Sequence, residues 1–152
     1  MALSVDDIKA QFPTKTLPVV VGEPTYENIR VLTEALYGNA ASLHAYTGGG
    51  KHGHIGLIMP ATLYAILSST AYATPTDPGE FPEDYTNEAE RLTNNRKYLG
   101  ERRTYDNHNN MDNALKSQII DTIHETYLCE KRKRLIGFLG VSTRDLLDHL
   151  LD

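Results

Sequence analysis

A glycine-rich stretch separates two apolar segments in the first half of the chain. Glycine in the interior of a helix or strand costs conformational entropy, so a segment this rich in glycine predicts a loop. The residues before it follow a helical pattern, and Pro60 after it suits the start of a second helix. We therefore expect a hinge between two packed helices. Its five glycines are Gly48, Gly49, Gly50, Gly53 and Gly56.

The segment before this loop predicts the strongest helix of the sequence, over residues 25–46. Thr25 can cap its N-terminus, and Glu27 in the first turn interacts favourably with the helix dipole. Apolar residues recur there at spacings of three and four, which places them on one face, and the triple glycine is expected to end the helix. These residues are Ile29, Leu32, Leu36, Ala40 and Leu43.

Shorter signals predict the other helices. Ser4 can cap a helix over residues 5–12, and Ser142 with Asp145 matches a capping box before a last, leucine-rich helix. The helix that follows Pro60 is almost entirely apolar, so we expect it to be central and buried.

A long polar segment from residue 84 to residue 127 predicts two helices rather than one. The run Asn-His-Asn-Asn at residues 107–110 is poor helix sequence, because asparagine side chains compete for backbone hydrogen bonds. We expect the first helix to end near Tyr105 and the second to start at Asp112. Leu115 and Ile119 mark the buried face of the second helix.

These signals together predict an all-α fold, a compact bundle of five to six helices with an extended N-terminal arm. We divide the chain into the arm, residues 1–24, and a helical domain, residues 25–152. No later segment alternates well enough to pair with the arm as a strand. An exposed apolar arm promotes aggregation, so we expect it to pack against its own domain or, as we favour, a neighbouring subunit. Its apolar residues are Leu17, Val19, Val20 and Val21.

Composition narrows the classes of function. The chain has 152 residues, enough for one domain, and a net charge of −5, which argues against nucleic-acid binding through the overall field. Its single cysteine excludes an internal disulfide and a zinc finger, and suits a reducing compartment. We see neither a signal peptide nor an apolar stretch of the roughly 18 residues that a membrane span needs. We expect a cytoplasmic protein with no membrane partner.

The histidines in and before the glycine-rich stretch are the first candidates for chemistry. His44, His52 and His54 could seed a metal site, which makes a metal-dependent hydrolase one alternative function. Zinc needs three or four ligands with outer-shell support, and no cysteine or carboxylate lies close in sequence. We therefore favour loop histidines that are solvated or cap a helix end, and that tolerate exchange for asparagine. A phosphate-binding loop fails on spacing, because His52 stands where the motif needs serine or threonine.

A basic run near the C-terminus is the second candidate. Such runs most often form a solvated turn, and contact with phosphate or nucleic acid is the alternative. Cys129 lies beside it, where cations could lower the thiol pKa, but His124 is the only nearby base. No serine-hydrolase elbow or His-Glu-x-x-His motif is present, so we predict no catalytic residues, no cofactor and no enzymatic activity. The basic residues are Lys131, Arg132, Lys133 and Arg134.

Several motifs resemble the Gag-like capsid domains of copia-type retrotransposons. The resemblance extends from Leu17 to the end of the chain, and its specific part is the glycine-histidine block. The C-terminal part, ending in Leu146-Leu147-Asp148-His149-Leu150, resembles the general Gag pattern of helices. The N-terminal motifs are Leu17-Pro18, Gly22-Glu23-Pro24-Thr25-Tyr26-Glu27-Asn28-Ile29, Asn39-Ala40-Ala41-Ser42-Leu43, the block at residues 48–57, the run at residues 64–72, and Asp77-Pro78-Gly79.

The resemblance implies a structural protein that self-assembles through helix-mediated contacts, in the cytoplasm and in virus-like particles. Its partners would then be other copies of itself. Gag polyproteins of this type commonly carry a Cys-Cys-His-Cys zinc knuckle, which this sequence does not contain, so RNA would be bound through a region not present in this chain. The alternative is a small helical binding or regulatory module, a domesticated capsid domain that does not assemble.

Overall fold

The computed structural model describes residues 3–43, 52–68, 71–80, 86–131, 137–138 and 140–151. None of these residues lies in a β-strand, and the prediction of an all-α fold is confirmed. The described part of the chain also contains 3₁₀ turns at Ile55–Leu57, Glu125–Tyr127 and Cys129–Lys131. The helices are α1 (Val5–Ala10), α2 (Tyr26–Ala40), α3 (Ala61–Leu67), α4 (Glu88–Thr122) and α5 (Thr143–Leu151).

Helix α4 is 35 residues long and packs against α1, α2 and α5. The prediction of a break at residues 107–110 is wrong, because two asparagines there make tertiary hydrogen bonds. Asn107 Oδ1 accepts from the Leu3 backbone N–H at 2.9 Å, and Asn110 Nδ2 donates to the Leu3 carbonyl at 2.8 Å. Asparagine costs a helix only a few tenths of a kcal/mol, which hydrogen bonds of about 1 kcal/mol each can offset.

Helix α2 begins as predicted but ends earlier. The Thr25 hydroxyl accepts from the Asn28 N–H at 3.2 Å, and the expected apolar face is buried. The helix stops at Ala40, and its last carbonyls are bonded by groups other than glycine. The Ser42 hydroxyl donates to the Asn39 carbonyl at 2.6 Å, and the His54 N–H donates to the Ala40 carbonyl at 2.8 Å. The triple glycine that was predicted to end this helix lies outside the described residues.

Two described glycines of this stretch are required by close packing. Gly53 has a φ of +60°, and a Cβ there would lie 2.8 Å from the backbone of Ala41 and from the Leu43 carbonyl. A Cβ on Gly56 would lie 2.1 Å from the ring of Tyr72. The chain therefore returns against the end of α2 at a distance that only glycine permits.

The core is formed mainly by α2, the C-terminal half of α4 and α5. Three residues of the segment predicted as an arm, Ile8, Phe12 and Leu17, lie in the same core. The Val20 N–H donates to the Thr122 carbonyl at 3.1 Å, which fixes the arm along the end of α4. Val20 packs against the core, whereas Val19 and Val21 are exposed. The arm is thus attached to its own chain on one side.

A buried amide joins three segments that are distant in sequence. Asn39 of α2 accepts from the Thr14 N–H at 3.0 Å and donates to the Thr14 carbonyl at 2.9 Å. The same amide donates to Gln118 Oε1 of α4 at 2.8 Å. Gln118 Nε2 in turn donates to the Thr14 carbonyl at 3.1 Å. These bonds fix the middle of the arm against α2 and α4.

The C-terminal helix agrees with its prediction and α3 does not. Ser142 and Asp145 form the reciprocal capping pair, and Leu146 and Leu147 are buried. In α3 only Tyr64 is buried. The prediction of a central, buried helix is wrong, because the remaining core closes without α3 and leaves most of its apolar side chains on the surface.

Replacing Asn39 with alanine is expected to lower the free energy of unfolding by about 2–4 kcal/mol, because the Thr14 backbone and the Gln118 amide lose buried partners. Chemical denaturation measures this difference. The matched control is Asn95→Ala in α4, where alanine is the better helix former and a gain of a few tenths of a kcal/mol is expected. Equal stabilities for the two variants would contradict a structural role for the Asn39 amide.

Replacing Gly53 with alanine is expected to destabilise the protein by about 1–3 kcal/mol, since it adds a clash to an unfavourable φ. Gly38, exposed on α2 with open space around its Cα, provides the control. Gly38→Ala should stabilise by about 0.5–1 kcal/mol through helix propensity. Thermal unfolding measures whether the two variants change stability in opposite directions. If Gly53→Ala is as stable as the wild type, the close contact of residue 53 with the end of the α2 segment does not require glycine.

Candidate functional site

The described histidines of the glycine-rich stretch lie close to α2 and α3. His54 is buried, and its Nδ1 lies 3.0 Å from the Leu43 carbonyl, to which it donates because a carbonyl oxygen can only accept. Its backbone and its ring therefore both bond to the end of the α2 segment. The expectation that asparagine is tolerated here does not agree with a buried ring in this position. His44 lies outside the described residues.

Five rings from four segments form a cluster beside α3. Tyr72 stacks on His108 of α4, with centroids 5.9 Å apart and an angle of 29° between the ring planes. Tyr64 of α3 meets Tyr72 edge-on at 5.9 Å and His52 edge-on at 6.5 Å. His54 and His108 are 6.3 Å apart. The cluster attaches α3 and the segment after it to the middle of α4.

Burial keeps the main members of this cluster uncharged. It lowers the pKa of His108, an effect that Asp112 opposes. Burial also raises the pKa of Tyr72, and the neighbouring Tyr64 and Asp112 add to that increase. The hydroxyl groups of Tyr64 and Tyr72 are buried and have no hydrogen-bond partner among the described residues. The ring–ring contacts of this cluster support packing.

Metal binding finds no support in this arrangement. Among the residues with described positions, no three histidine, cysteine, aspartate or glutamate side chains are grouped so that they could hold a metal ion. His52 and His54 contact tyrosine, carbonyl and histidine partners instead. The predicted set of three histidines cannot be judged as a whole, since His44 is outside the described part of the chain.

The other predicted site residues are separate from this cluster. Lys131 is exposed at the end of a 3₁₀ turn, and residues 132–134 lie outside the described residues. The Cys129 thiol is exposed and donates to the Thr126 carbonyl at 3.1 Å. His124 Nδ1 accepts from the Thr126 N–H at 3.2 Å. Both groups thus bond to the backbone of Thr126, which is not the geometry of a nucleophile and its base.

The apolar surface of α3 is the feature that sequence reasoning missed. We call Leu63, Ile66 and Leu67 the α3 ridge, because their spacing of three and four places them on one helical face. They are 49%, 84% and 43% exposed, respectively. Behind the ridge, a cavity of about 420 Å³ lies between α3, Tyr72 and Arg144. The apolar sequence of the helix was visible, but its position on the surface was not.

Two further findings concern the chain as a whole. Within the described residues, no helix is both long enough and apolar enough to cross a membrane. Comparison of the sequence and structure with protein-family models, curated proteins and solved structures finds no significant match.

The lowered pKa of His108 predicts that stability decreases on acidification. At a pH between the folded and the unfolded pKa, the unfolded chain binds more protons, so the free energy of unfolding falls as the pH drops below about 6.5. Denaturation curves between pH 7.5 and about 5 measure the slope of the free energy of unfolding against pH. His108→Gln should have a shallower slope than the wild type, while the Gly38→Ala variant, which removes no titratable group, should keep the wild-type slope. Parallel slopes for all three proteins would contradict the assignment.

Proposed function

We propose that this protein is a structural protein of the Gag-like capsid type, which self-assembles through helix-mediated contacts made by the α3 ridge. The observation that carries the proposal is the exposure of Ile66 at the centre of that ridge. The resemblance of the sequence to copia-type Gag domains supports the same function. The proposal places assembly in the cytoplasm, with any RNA bound through a region outside this chain.

The physical argument starts from the cost of an apolar helix in water. Burying apolar surface contributes roughly 25 cal/mol per Å², so three clustered aliphatic side chains favour a protein partner. Contiguous exposed apolar surface on a monomer commonly marks an interaction site. The core of this chain closes without α3, so the ridge has no covering surface within the described part of the protein.

A second copy is the partner that the surface favours, because the chain exposes another apolar surface. Val19 and Val21 of the arm and Tyr26 at the start of α2 are all more than two-thirds exposed. A contact between the ridge of one copy and this arm surface of the next would be heterologous. Such contacts build rings when their rotation closes and extended assemblies when it does not, as a shell-forming protein requires.

The alternative is a helical binding or regulatory module that uses the same ridge for a different protein. It predicts a wild-type monomer at every concentration, whereas assembly predicts oligomers whose mass rises with concentration. A metal-dependent hydrolase is the weaker alternative, and elemental analysis of the purified protein would test it directly. No observation on the described residues favours either alternative over assembly.

Replacing Ile66 with glutamate is expected to abolish assembly without affecting the fold. The side chain is 84% exposed, so the melting temperature should change little, while a charge in the contact is costly to bury. Size-exclusion chromatography with light scattering, together with electron microscopy, reads out the oligomers. The matched control is Leu99→Glu on α4, which is half-exposed and outside the ridge, and which should assemble as the wild type does.

Two outcomes of this experiment contradict different parts of the proposal. A wild type that stays monomeric at high concentration and salt, with no particles, would overturn self-assembly. If the wild type assembles and Ile66→Glu assembles equally well, self-assembly stands and the role of the ridge is refuted. Loss of assembly in both variants would place the contact on a wider surface than the ridge.

A further inference from the structure

A groove with a volume of about 670 Å³ lies between residues 73–78 and the N-terminal half of α4. It adjoins the cavity behind the α3 ridge, because Thr74 lines both. Three basic side chains of α4, Arg96, Lys97 and Arg103, line it together with a single acidic one, Glu101. Thr74 and Thr76 contribute hydroxyl groups from the opposite wall. This lining is suited to an anion.

The wall opposite α4 is held in place by its own contacts. Arg102 forms an ion pair with Asp77 at 2.9 Å, and the Tyr98 hydroxyl donates to the Gly79 carbonyl at 2.8 Å. The Asp77 carboxylate also accepts from the Gly79 N–H at 2.8 Å. These bonds fix an extended segment against α4 before any ligand binds, which reduces the entropy that binding must overcome.

The basic residues of the groove differ from the other described arginines. Arg30, Arg91, Arg102 and Arg144 each form an ion pair with a carboxylate. Within the described residues, the three cations that line the groove make no such pair. Because the whole chain carries a net charge of −5, a groove with three cations and one carboxylate is a local exception. Phosphate, with several acceptor oxygens, can accept bidentate, charge-assisted hydrogen bonds from arginine.

A hydroxyl group that could carry such a phosphate lies in the groove itself. Thr74 is exposed, belongs to a segment without regular secondary structure, and is followed by Pro75. A residue before proline favours the extended conformation, which suits the active site of a proline-directed kinase. Thr74-Pro75 is the one place in the whole sequence where serine or threonine precedes proline.

We propose that this groove is a phosphate site and that the phosphate is carried on Thr74. A proline-directed kinase would transfer the γ-phosphoryl group of ATP to Thr74 Oγ1. The new P–O bond forms as the bond to the β-phosphate oxygen breaks, ADP leaves, and the hydroxyl proton passes to the base of the kinase. The product carries about −1.5 to −2 charges and accepts charge-assisted hydrogen bonds from the groove cations. This inference does not depend on the proposed assembly.

The direct test is to install phosphothreonine at position 74 of the full chain and titrate it by ³¹P NMR. The second pKa of such a phosphate is about 6, and neighbouring cations should lower the titration midpoint by about 0.5–1 pH unit relative to a free peptide of residues 71–80. The melting temperature should rise by about 2–4 °C. Arg103→Gln should partly reverse both effects, while the charge-matched control Lys131→Gln, which lies outside the groove, should not.

Two further experiments identify the source of the phosphate. A proline-directed kinase with ATP should label the unmodified protein but not Thr74→Ala, and pyrophosphate should bind the unmodified groove only weakly. Tight pyrophosphate binding without labelling of Thr74 would overturn the modification and leave a groove for free phosphate compounds. A titration midpoint equal to that of the free peptide, with an unchanged melting temperature, would overturn the phosphate site itself.

Discussion

The rest of the structure depends on the buried amide of Asn39. It bonds to both backbone groups of Thr14 and to Gln118, so it joins the arm, α2 and α4 at one point. Leaving any of these groups unpaired in the interior costs about 1–3 kcal/mol, which makes the relative position of the three segments specific. Phe12 and Leu17 flank Thr14 in sequence and enter the core on either side of this point. The arm is therefore a structural part of the bundle, while Val19 and Val21 remain exposed for contacts outside it.

Local signals in the sequence predicted the starts of α1, α2 and α5. The capping residues Thr25 and Ser142 bond to residues three positions along the chain, and the apolar residues of α2 recur every three or four positions. Because these partners are close in sequence, a single sequence is sufficient to predict them. The continuity of α4 required information of another kind. Asn107 and Asn110 bind the backbone of Leu3, more than a hundred residues away, and no local propensity can report such a partner.

The candidate site was only partly predictable for the same reason. The glycine-histidine block was recognised as unusual, but the partners of His54 are Leu43 and His108, and the rings around α3 come from four segments. Gly53 and Gly56 are glycine because of contacts with Ala41 and Tyr72, which are formed only in the folded chain. Hydropathy identified α3 as apolar, yet it could not tell whether the covering surface belongs to the same chain or to another.

Helix α3 has two faces: one is attached to α4 through the ring cluster, and the other carries the ridge of the proposed function. Its inner face depends on Tyr64, whose buried hydroxyl has no hydrogen-bond partner within the described part of the chain, and it lies over a cavity next to Tyr72 and Arg144. An unpaired buried hydroxyl and an incompletely filled space both weaken packing, so α3 is held less firmly than the helices of the core. A second copy that covers Ile66 would bind only the docked form of α3. By linkage, the proposed assembly would then stabilise the docked helix, and protonation of His108, which weakens the ring cluster, would weaken that assembly.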